Sequence, residues 1–329
     1  MKAAIIGAGF IAEFHAVSYQ ALEGEQAVSL CAVCAPDREK AEAFARRFSC
    51  RAYTDAQEML ERERPELVSV CVPTHLHEQY TVMALEHGAH VLCEKPMALT
   101  REACGRMEQT ARRTGRLLMI GQMLRWWPEY RRIAAEMRRM GPPELIVARR
   151  LQHASRTQWM PDPNRGGGVL FDLLVHDLDM VCALMGVDAQ VLSACGSKGP
   201  EGSWRRLCVT MRWPSGTQAL LEVSNRMPPR YPFTAYFRAD YPQAALEYQF
   251  HAPLNIQMDA RTDASLTLFE HGEAAALPVS QNAQQEAFAA EIAAFVQGVR
   301  QGSSPLPCGD SLRVMGHIFA IGELLAKQA

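Results

Sequence analysis

The sequence predicts an α/β chain, with a doubly wound parallel sheet at the N-terminus followed by an α+β domain on a mainly antiparallel sheet. Three observations predict it. Short apolar runs alternate with amphipathic stretches over residues 1–121, as in strand–helix–strand units around a parallel sheet. A glycine-rich turn joins the first apolar run to the first amphipathic stretch. Later, strand-like segments near 190–197, 206–213, 217–225, 232–239 and 244–250 follow one another with turn signals such as Pro214-Ser215-Gly216, the mark of hairpin-linked antiparallel strands.

Ala3–Ile6 suits a buried parallel strand and runs into Gly7-Ala8-Gly9-Phe10-Ile11-Ala12, where a helix begins. Gly7 permits a tight turn, Gly9 lets backbone N–H groups approach a pyrophosphate, and Ala12 lets the helix pack closely on the strand. The helix N-terminus, at Phe10 and Ile11, turns its partial positive charge toward the phosphates. A glycine pattern alone is weak; at a strand–helix junction it reads as a Rossmann-type dinucleotide site. The next strand, Val28–Cys34, ends at Ala35, where an acid would bind the adenosine ribose and select NAD. Without that acid a ribose 2′-phosphate meets no repulsion, and Arg38 can pair with it. Alternatively Asp37 takes the ribose and Arg38 is a solvated helix-start residue. The reading favours NADP over NAD.

Leu67–Val72 is another buried strand, ended by Pro73, and THLHEQYTVMALEHG follows as a helix with Gly88 at its C-terminal end. Thr74 reads as its cap and as a wall of the nicotinamide pocket. His77 is placed beside the cofactor in a structural role, and His15 as a core histidine of the first helix. Ala89–Cys93 is the next strand, then Glu94-Lys95-Pro96, and Leu117–Ile120 closes the domain. Ligands of such sheets gather at the carboxyl ends of the strands. Gly7, Ala35, Pro73, Thr74 and Lys95 all fall on that edge, with Glu94 beside them.

The stretch GGGVLFDLLVHDLD at 166–179 places Asp172 and His176 one helical turn apart on one face. A carboxylate beside an imidazole orients it and tunes its proton affinity. Read alone, a surface contact is the commoner explanation. Gly166, Gly167 and Gly168 let the incoming backbone bend and approach a ligand closely. Lys95, at a strand end beside the cofactor edge, can donate a hydrogen bond to a substrate hydroxyl and stabilise developing alkoxide character; the alternative is a solvated lysine paired with Glu94.

The blocks GAGFIAEFHA at 7–16, VLCEKPMA at 91–98 and GGGVLFDLLVHDLD at 166–179 resemble the Gfo/Idh/MocA family, the glucose–fructose oxidoreductase and inositol dehydrogenase group. With VPTHLHEQYTVMALEHG and FAAEIAAFVQGVRQG, the resemblance covers nearly the whole chain. It implies NAD(P)H bound by the first domain and a sugar, inositol or related polyol oxidised or reduced in the second. It implies Lys95, Asp172 and His176 as the catalytic group, a cis bond before Pro96, and dimers or tetramers built through the C-terminal sheet. The departure is Ala35, where many members carry an acid. In the oxidative direction His176 takes the hydroxyl proton, Lys95 positions that oxygen and Asp172 supports the imidazole. The rivals are a dihydrodiol-type dehydrogenase acting on a non-sugar diol, and a sensor that binds nucleotide and sugar without turnover. Retention of Lys95, Asp172 and His176 together argues against the sensor.

The boundary is placed at Gly121, giving a dinucleotide-binding domain over 1–121 and a substrate-binding and oligomerisation domain over 122–329. QMLRWWPEYRRIAAEMRRMG contains a basic amphipathic helix with a solvated arginine face, and Leu145–Leu151 reads as a strand. Gln285–Gly298 and Ser311–Lys327 are amphipathic helices closing the structure. The loop-like His153–Arg165 lies where substrate contacts are usual. Trp159 could stack on a sugar ring, and His153, Arg156 or Arg165 could bind hydroxyls or a carboxylate. Trp126 and Trp127 line the same cleft, or one of them packs inside.

At 329 residues, two domains and a substantial core are expected. A hydrophobic content of 48%, a charged content of 21% and a net charge of −2 describe an ordinary soluble globule with no electrostatic reason to bind nucleic acid or an anionic membrane. No apolar run approaches the roughly 20 residues that span a bilayer. The N-terminal apolar stretch is the glycine-rich turn itself and Glu13 follows, unlike a signal peptide, so a cytoplasmic location is expected. Of ten cysteines, Cys31 and Cys34 form a CxxC on a strand, where their side chains point to opposite faces. The others are scattered and read as reduced thiols. The Asp172/His176 pair lacks a neighbouring third ligand, and no metal is expected.

Overall fold

The computed structural model describes residues 1–26, 28–154, 157, 159–252 and 262–327. The chain divides into two compact units, Met1–Met123 with Gln285–Leu312, and Leu124–Gln284 with Arg313–Ala329.

In the first unit β1 (Lys2–Ile6), β2 (Ser29–Cys34), β3 (Arg51–Tyr53), β4 (Leu67–Val70), β5 (His90–Glu94) and β6 (Leu118–Gly121) form one sheet in the order β3-β2-β1-β4-β5-β6. Every pairing is parallel. Strand order reverses between β1 and β4, and such a reversal opens a crevice at the carboxyl ends of the strands. β1 is buried from Ala3 to Ile6 and β4 throughout, as expected of strands with helices on both faces. Asp37, Asp55 and Thr100 each accept a backbone N–H at the start of the helix that follows them.

The core of this unit joins Ile5, Tyr19, Leu30, Phe44 and Leu92 to Ile292, Phe295 and Val296 of the helix Ala283–Gln301. Phe288 of that helix stacks on Phe14 with ring centroids 4.8 Å apart. The chain therefore returns to the first unit after building the second, where the sequence suggests one break at Gly121. An amphipathic pattern shows that a helix has a buried face but not what that face covers.

The second unit holds β7 (Leu145–His153), β8 (Gln190–Lys198), β9 (Trp204–Arg212), β10 (Gln218–Met227), β11 (Phe233–Tyr241), β12 (Ala244–Ala252), β13 (Asp263–Glu270) and β14 (Glu273–Leu277). They form one sheet, ordered β14-β13-β12-β11-β7-β10-β9-β8. The β7–β10 pair is parallel and the other pairs are antiparallel. In β12, Leu246, Tyr248, Phe250 and Ala252 are buried and alternate with half-buried residues, so one face carries the core and the other is open. The helix Pro128–Met140 buries Tyr130, Ile133 and Met137 and leaves Arg131, Arg132, Arg138 and Arg139 exposed. β13 and β14 extend the sheet beyond the strands read from the sequence. They turn at His271-Gly272, both at positive φ, the geometry of a two-residue hairpin. Among the described residues no helix is long and apolar enough to cross a membrane.

Truncating Phe288 to alanine is expected to lower the unfolding free energy by about 3–5 kcal/mol, the usual cost of a large core cavity. Urea unfolding followed by fluorescence checks this. An unchanged midpoint would place this helix outside the core of the first unit.

Candidate active site

Gly7 occupies φ 114°, and a Cβ there would lie 2.3 Å from the Cys71 carbonyl oxygen, so no other residue fits. Its N–H donates to the Cys34 carbonyl at 2.8 Å. Gly9 precedes the helix Phe10–Ala21 and supplies no side-chain cap. A Cβ on Gly9 would meet no protein atom within 4 Å. The space beside Gly9 is open and no side chain caps the first-turn amides, an arrangement that fits a pyrophosphate. Ala12 is buried and Phe10 exposed, with Ile11 half-buried between them.

At the end of β2 Ala35 is buried, and its N–H donates to the Tyr53 carbonyl at 3.1 Å. Asp37 accepts the Lys40 N–H at 3.1 Å as a helix cap, and that bond holds its carboxyl below the usual carboxylate range. Arg38 is exposed and lies 3.9 Å from Glu42. After Pro73 the chain makes a turn of 3-10 helix at Thr74–Leu76, and the α-helix starts at His77 with Leu76 at its N-cap. Thr74 is buried but is not the α-helix cap that the sequence suggests, because the intervening turn displaces the helix start.

The Lys95–Pro96 bond is cis. Glu94 accepts the Lys95 N–H on Oε2 at 3.2 Å and lies 3.1 Å from His15 Nε2 on Oε1. His15 is fully buried, and its Nδ1 lies 2.9 Å from Ser69 Oγ. His77, expected beside the cofactor, is also buried. Its Nδ1 lies 2.8 Å from the Pro96 carbonyl and its Nε2 3.0 Å from that of Val72. Both ring nitrogens face backbone carbonyls.

In the second unit the stretch bearing Asp172 and His176 is two helical segments, Val169–Asp172 and Leu174–Met185, separated at Leu173. Asp172 and His176 thus lie on successive segments rather than one continuous helix, and both are half-buried. Apolar spacing carries on through Leu173 and conceals the break. The glycines before it approach the chain itself: a Cβ on Gly168 would lie 2.6 Å from the Trp204 carbonyl oxygen, and one on Gly166 2.5 Å from Met160. Close packing on protein accounts for Gly166 and Gly168, and Gly167 sits at φ 74°.

Two buried carboxylates anchor the longer segment. Arg150 donates to Asp177 through Nε at 3.0 Å and Nη2 at 2.8 Å. Arg125 donates to Asp179 through both nitrogens at 2.8 Å. Burial pulls the Arg150 guanidinium down, but Asp177, Tyr130 and Tyr248 together outweigh it and push it up. These four residues escape sequence reading because each pair joins positions far apart in the chain; the one local sign is two aspartates, beside His176, in a largely apolar helix.

His153 ends β7 with Nδ1 2.9 Å from the Ala154 carbonyl, and its buried Nε2 has no partner among the described residues. Asn225, in the irregularity between Ser224 and Met227 where Met227 pairs with His153, likewise carries an unpartnered buried Oδ1. Bulges re-aim side chains next to functional sites, and Asn225 is a polar residue absent from the sequence reading. Trp126 is half-buried with its indole N–H unpartnered among the described residues. Trp127 instead packs inside this unit and donates to Tyr248 Oη at 3.1 Å. Trp159 is half-buried, Arg165 exposed, and Arg156 lies outside the described residues.

Residues 1–122 match the N-terminal domain of the GFO_IDH_MocA family, described as an oxidoreductase family with an NAD-binding Rossmann fold. Residues 129–252 match the family's C-terminal domain. The chain belongs to this family. It is 33% identical over 219 residues to a D-glucoside 3-dehydrogenase of Escherichia coli K12, covering 62% of each chain. It is 26% identical over 321 residues to an inositol 2-dehydrogenase of Rhizobium meliloti, covering 93% of this chain and 91% of that one. A 3-ketoreductase of Actinomadura kijaniata, solved with NADP and TDP-benzene, shares the fold with a TM-score of 0.84 at 22% identity, covering 99% of this chain and 98% of that one.

Arg150→Ala leaves Asp177 buried without its partner and is expected to cost about 3–5 kcal/mol, whereas replacing both by apolar residues of similar volume costs far less. Urea unfolding of Arg150→Ala and of Arg150→Met/Asp177→Leu makes the comparison. Equal losses would show that packing, not charge pairing, anchors this helix.

Proposed function

From its place in the Gfo/Idh/MocA family, we propose that this protein is an NAD(P)-dependent oxidoreductase acting on a secondary alcohol, or the matching carbonyl, of a sugar, inositol or related polyol. One observation carries the reading: a glycine turn with uncapped amides and open space beside Gly9 stands on the same sheet edge as Lys95, in a chain that also keeps Asp172 and His176. The glucoside and inositol relatives support the substrate class.

Gly7, Gly9, Phe10 and Ile11 hold the pyrophosphate, and Ala35 and Arg38 meet the adenosine ribose. Pro73 and Thr74 border the nicotinamide, with Glu94 and His77 behind them. Bound nicotinamide supplies the acceptor or donor of hydride. In the oxidative direction His176 removes the hydroxyl proton as general base. The Lys95 ammonium donates a hydrogen bond to the same oxygen and favours its alkoxide character. Asp172 orients the imidazole and supports its positive charge. Trp126 and Trp159 offer aromatic faces to a sugar ring, and His153 and Arg165 offer hydrogen bonds to its hydroxyls. NADP is the preferred nucleotide, since β2 ends without an acid and Asp37 is engaged as a cap. The protein assembles as a homodimer or homotetramer through the open face of the β7–β14 sheet. It works in the cytoplasm, a reducing compartment that suits ten free cysteines.

A panel of aldoses, keto sugars and polyols with each nucleotide tests the reading, alongside His176→Ala and Lys95→Met. His176→Ala is expected to lose roughly 100-fold or more of the rate, the scale of general acid–base catalysis. Lys95→Met is expected to lower turnover, with nucleotide affinity by calorimetry nearly intact in both variants. Tight nucleotide binding with no turnover across the panel would favour the sensor instead.

Ala35→Asp sets a carboxylate against the ribose and is expected to lower the NADP-to-NAD ratio of kcat/KM by roughly tenfold, the factor given by about 1.4 kcal/mol. Steady-state kinetics with both nucleotides reads it. An unmoved ratio would show that Ala35 does not meet the ribose.

A further inference from the structure

Lys95 lies one residue beyond β5, and buried histidines grip the residue on each side of it. On one side a chain of hydrogen bonds runs inward from the first helix. Tyr19 Oη lies 2.9 Å from Ser69 Oγ, which lies 2.9 Å from His15 Nδ1. His15 Nε2 reaches Glu94 Oε1 at 3.1 Å, and Glu94 Oε2 takes the Lys95 N–H at 3.2 Å. One assignment uses every hydrogen once: Tyr19 donates to Ser69, Ser69 to His15 Nδ1, and the His15 Nε2–H to Glu94. Burial pushes the Tyr19 phenol up, so it stays a donor. Gly121 leaves room for the Glu94 carboxylate, since a Cβ there would come within 3.2 Å of Oε1.

On the other side His77 spans two loop ends, those after β4 and β5. Its nitrogens face the carbonyls of Val72 and Pro96 at 3.0 and 2.8 Å. Both partners can only accept, so a neutral ring satisfies one and a ring protonated twice satisfies both. In either state the imidazole leaves no ring nitrogen facing the crevice.

We propose that His15 and His77 are positioning residues for Lys95, His15 acting through the Glu94 carboxylate and His77 through the Pro96 carbonyl. A histidine that only filled the core would need none of these partners. Five polar side chains from two strands and two helices are instead arranged so that the backbone on both sides of Lys95 is held. The consequence for catalysis rests on the reading of Lys95 given above; the geometric claim does not.

The test uses His15→Phe and His77→Phe, which keep an aromatic ring and lose the bonds, and His15→Gln and His77→Gln, which keep a donor. Lys95 is followed directly by the carbon-13 signal of its reductively methylated amine, assigned by its loss in Lys95→Arg. Both phenylalanine variants are expected to shift or broaden that signal, and the glutamine variants to restore it in part. With a substrate that the wild-type protein turns over, kcat is expected to fall roughly 10- to 100-fold, the scale on which slight misplacement of a reacting group acts. In the His15 variants KM and nucleotide affinity should hold within about twofold. If a phenylalanine variant does not fold, Glu94→Gln weakens the bond to the Lys95 backbone with His15 in place and should move the same signal. An unchanged signal in the folded variants overturns the proposal. A shifted signal in a protein that turns over no sugar supports the brace and refutes only the catalytic reading.

Discussion

The approach of Gly7 to the end of β4 is the constraint on which the first unit depends. With a Cβ the turn would overlap the Cys71 carbonyl at 2.3 Å, and the Gly7 N–H is spent on the Cys34 carbonyl. The ends of β1, β2 and β4 are thereby drawn together where strand order reverses. Most of what is assigned to nucleotide binding hangs from that junction: the uncapped amides after Gly9, Ala35 beyond Cys34, and Pro73 two residues past Cys71. The histidine brace starts there too, since Ser69 and Val72 flank Cys71 on the same segment.

Both units solve the same problem of holding a polar group still in an apolar setting. In the first, neutral or singly charged groups form a chain in which each donor meets an acceptor. In the second, Asp177 and Asp179 are paired with arginines through two bonds each. Such pairs are costly to bury and add little net stability, but breaking one leaves a stranded charge. Their effect here is to set the rotation and depth of the helix bearing His176. Helix propensity alone cannot do this.

Local chemistry was the legible part of the sequence. Gly7–Ala12, Glu94-Lys95-Pro96 and the strands from β1 to β12 announce themselves through turn residues and apolar runs, with the short β3 as the exception. What stayed hidden depends on partners distant in the chain. The face of Ala283–Gln301 is visible as a stripe, but its return to the first unit depends on Phe14 and its neighbours. Arg150 reads as one basic residue among several in β7 until Asp177 meets it. The break at Leu173 and the turn at Thr74–Leu76 are backbone events inside segments whose side-chain pattern runs on unbroken. β3 is too short, and β14 too exposed and alanine-rich, to carry a strand signal, although the glycine at 272 marks their kind of hairpin turn for β13 and β14.

The proposed chemistry turns on hydride passing between nicotinamide and a sugar carbon while Lys95 and His176 manage the oxygen. The most direct measurement supplies the protein with reduced nucleotide deuterated at the reactive ring carbon, together with a set of keto sugars and keto inositols, and analyses the products by mass spectrometry. Deuterium is expected on the carbon that bore the carbonyl, in amounts that fall sharply in His176→Ala. Nucleotide that binds tightly while every sugar is recovered without deuterium would contradict the account.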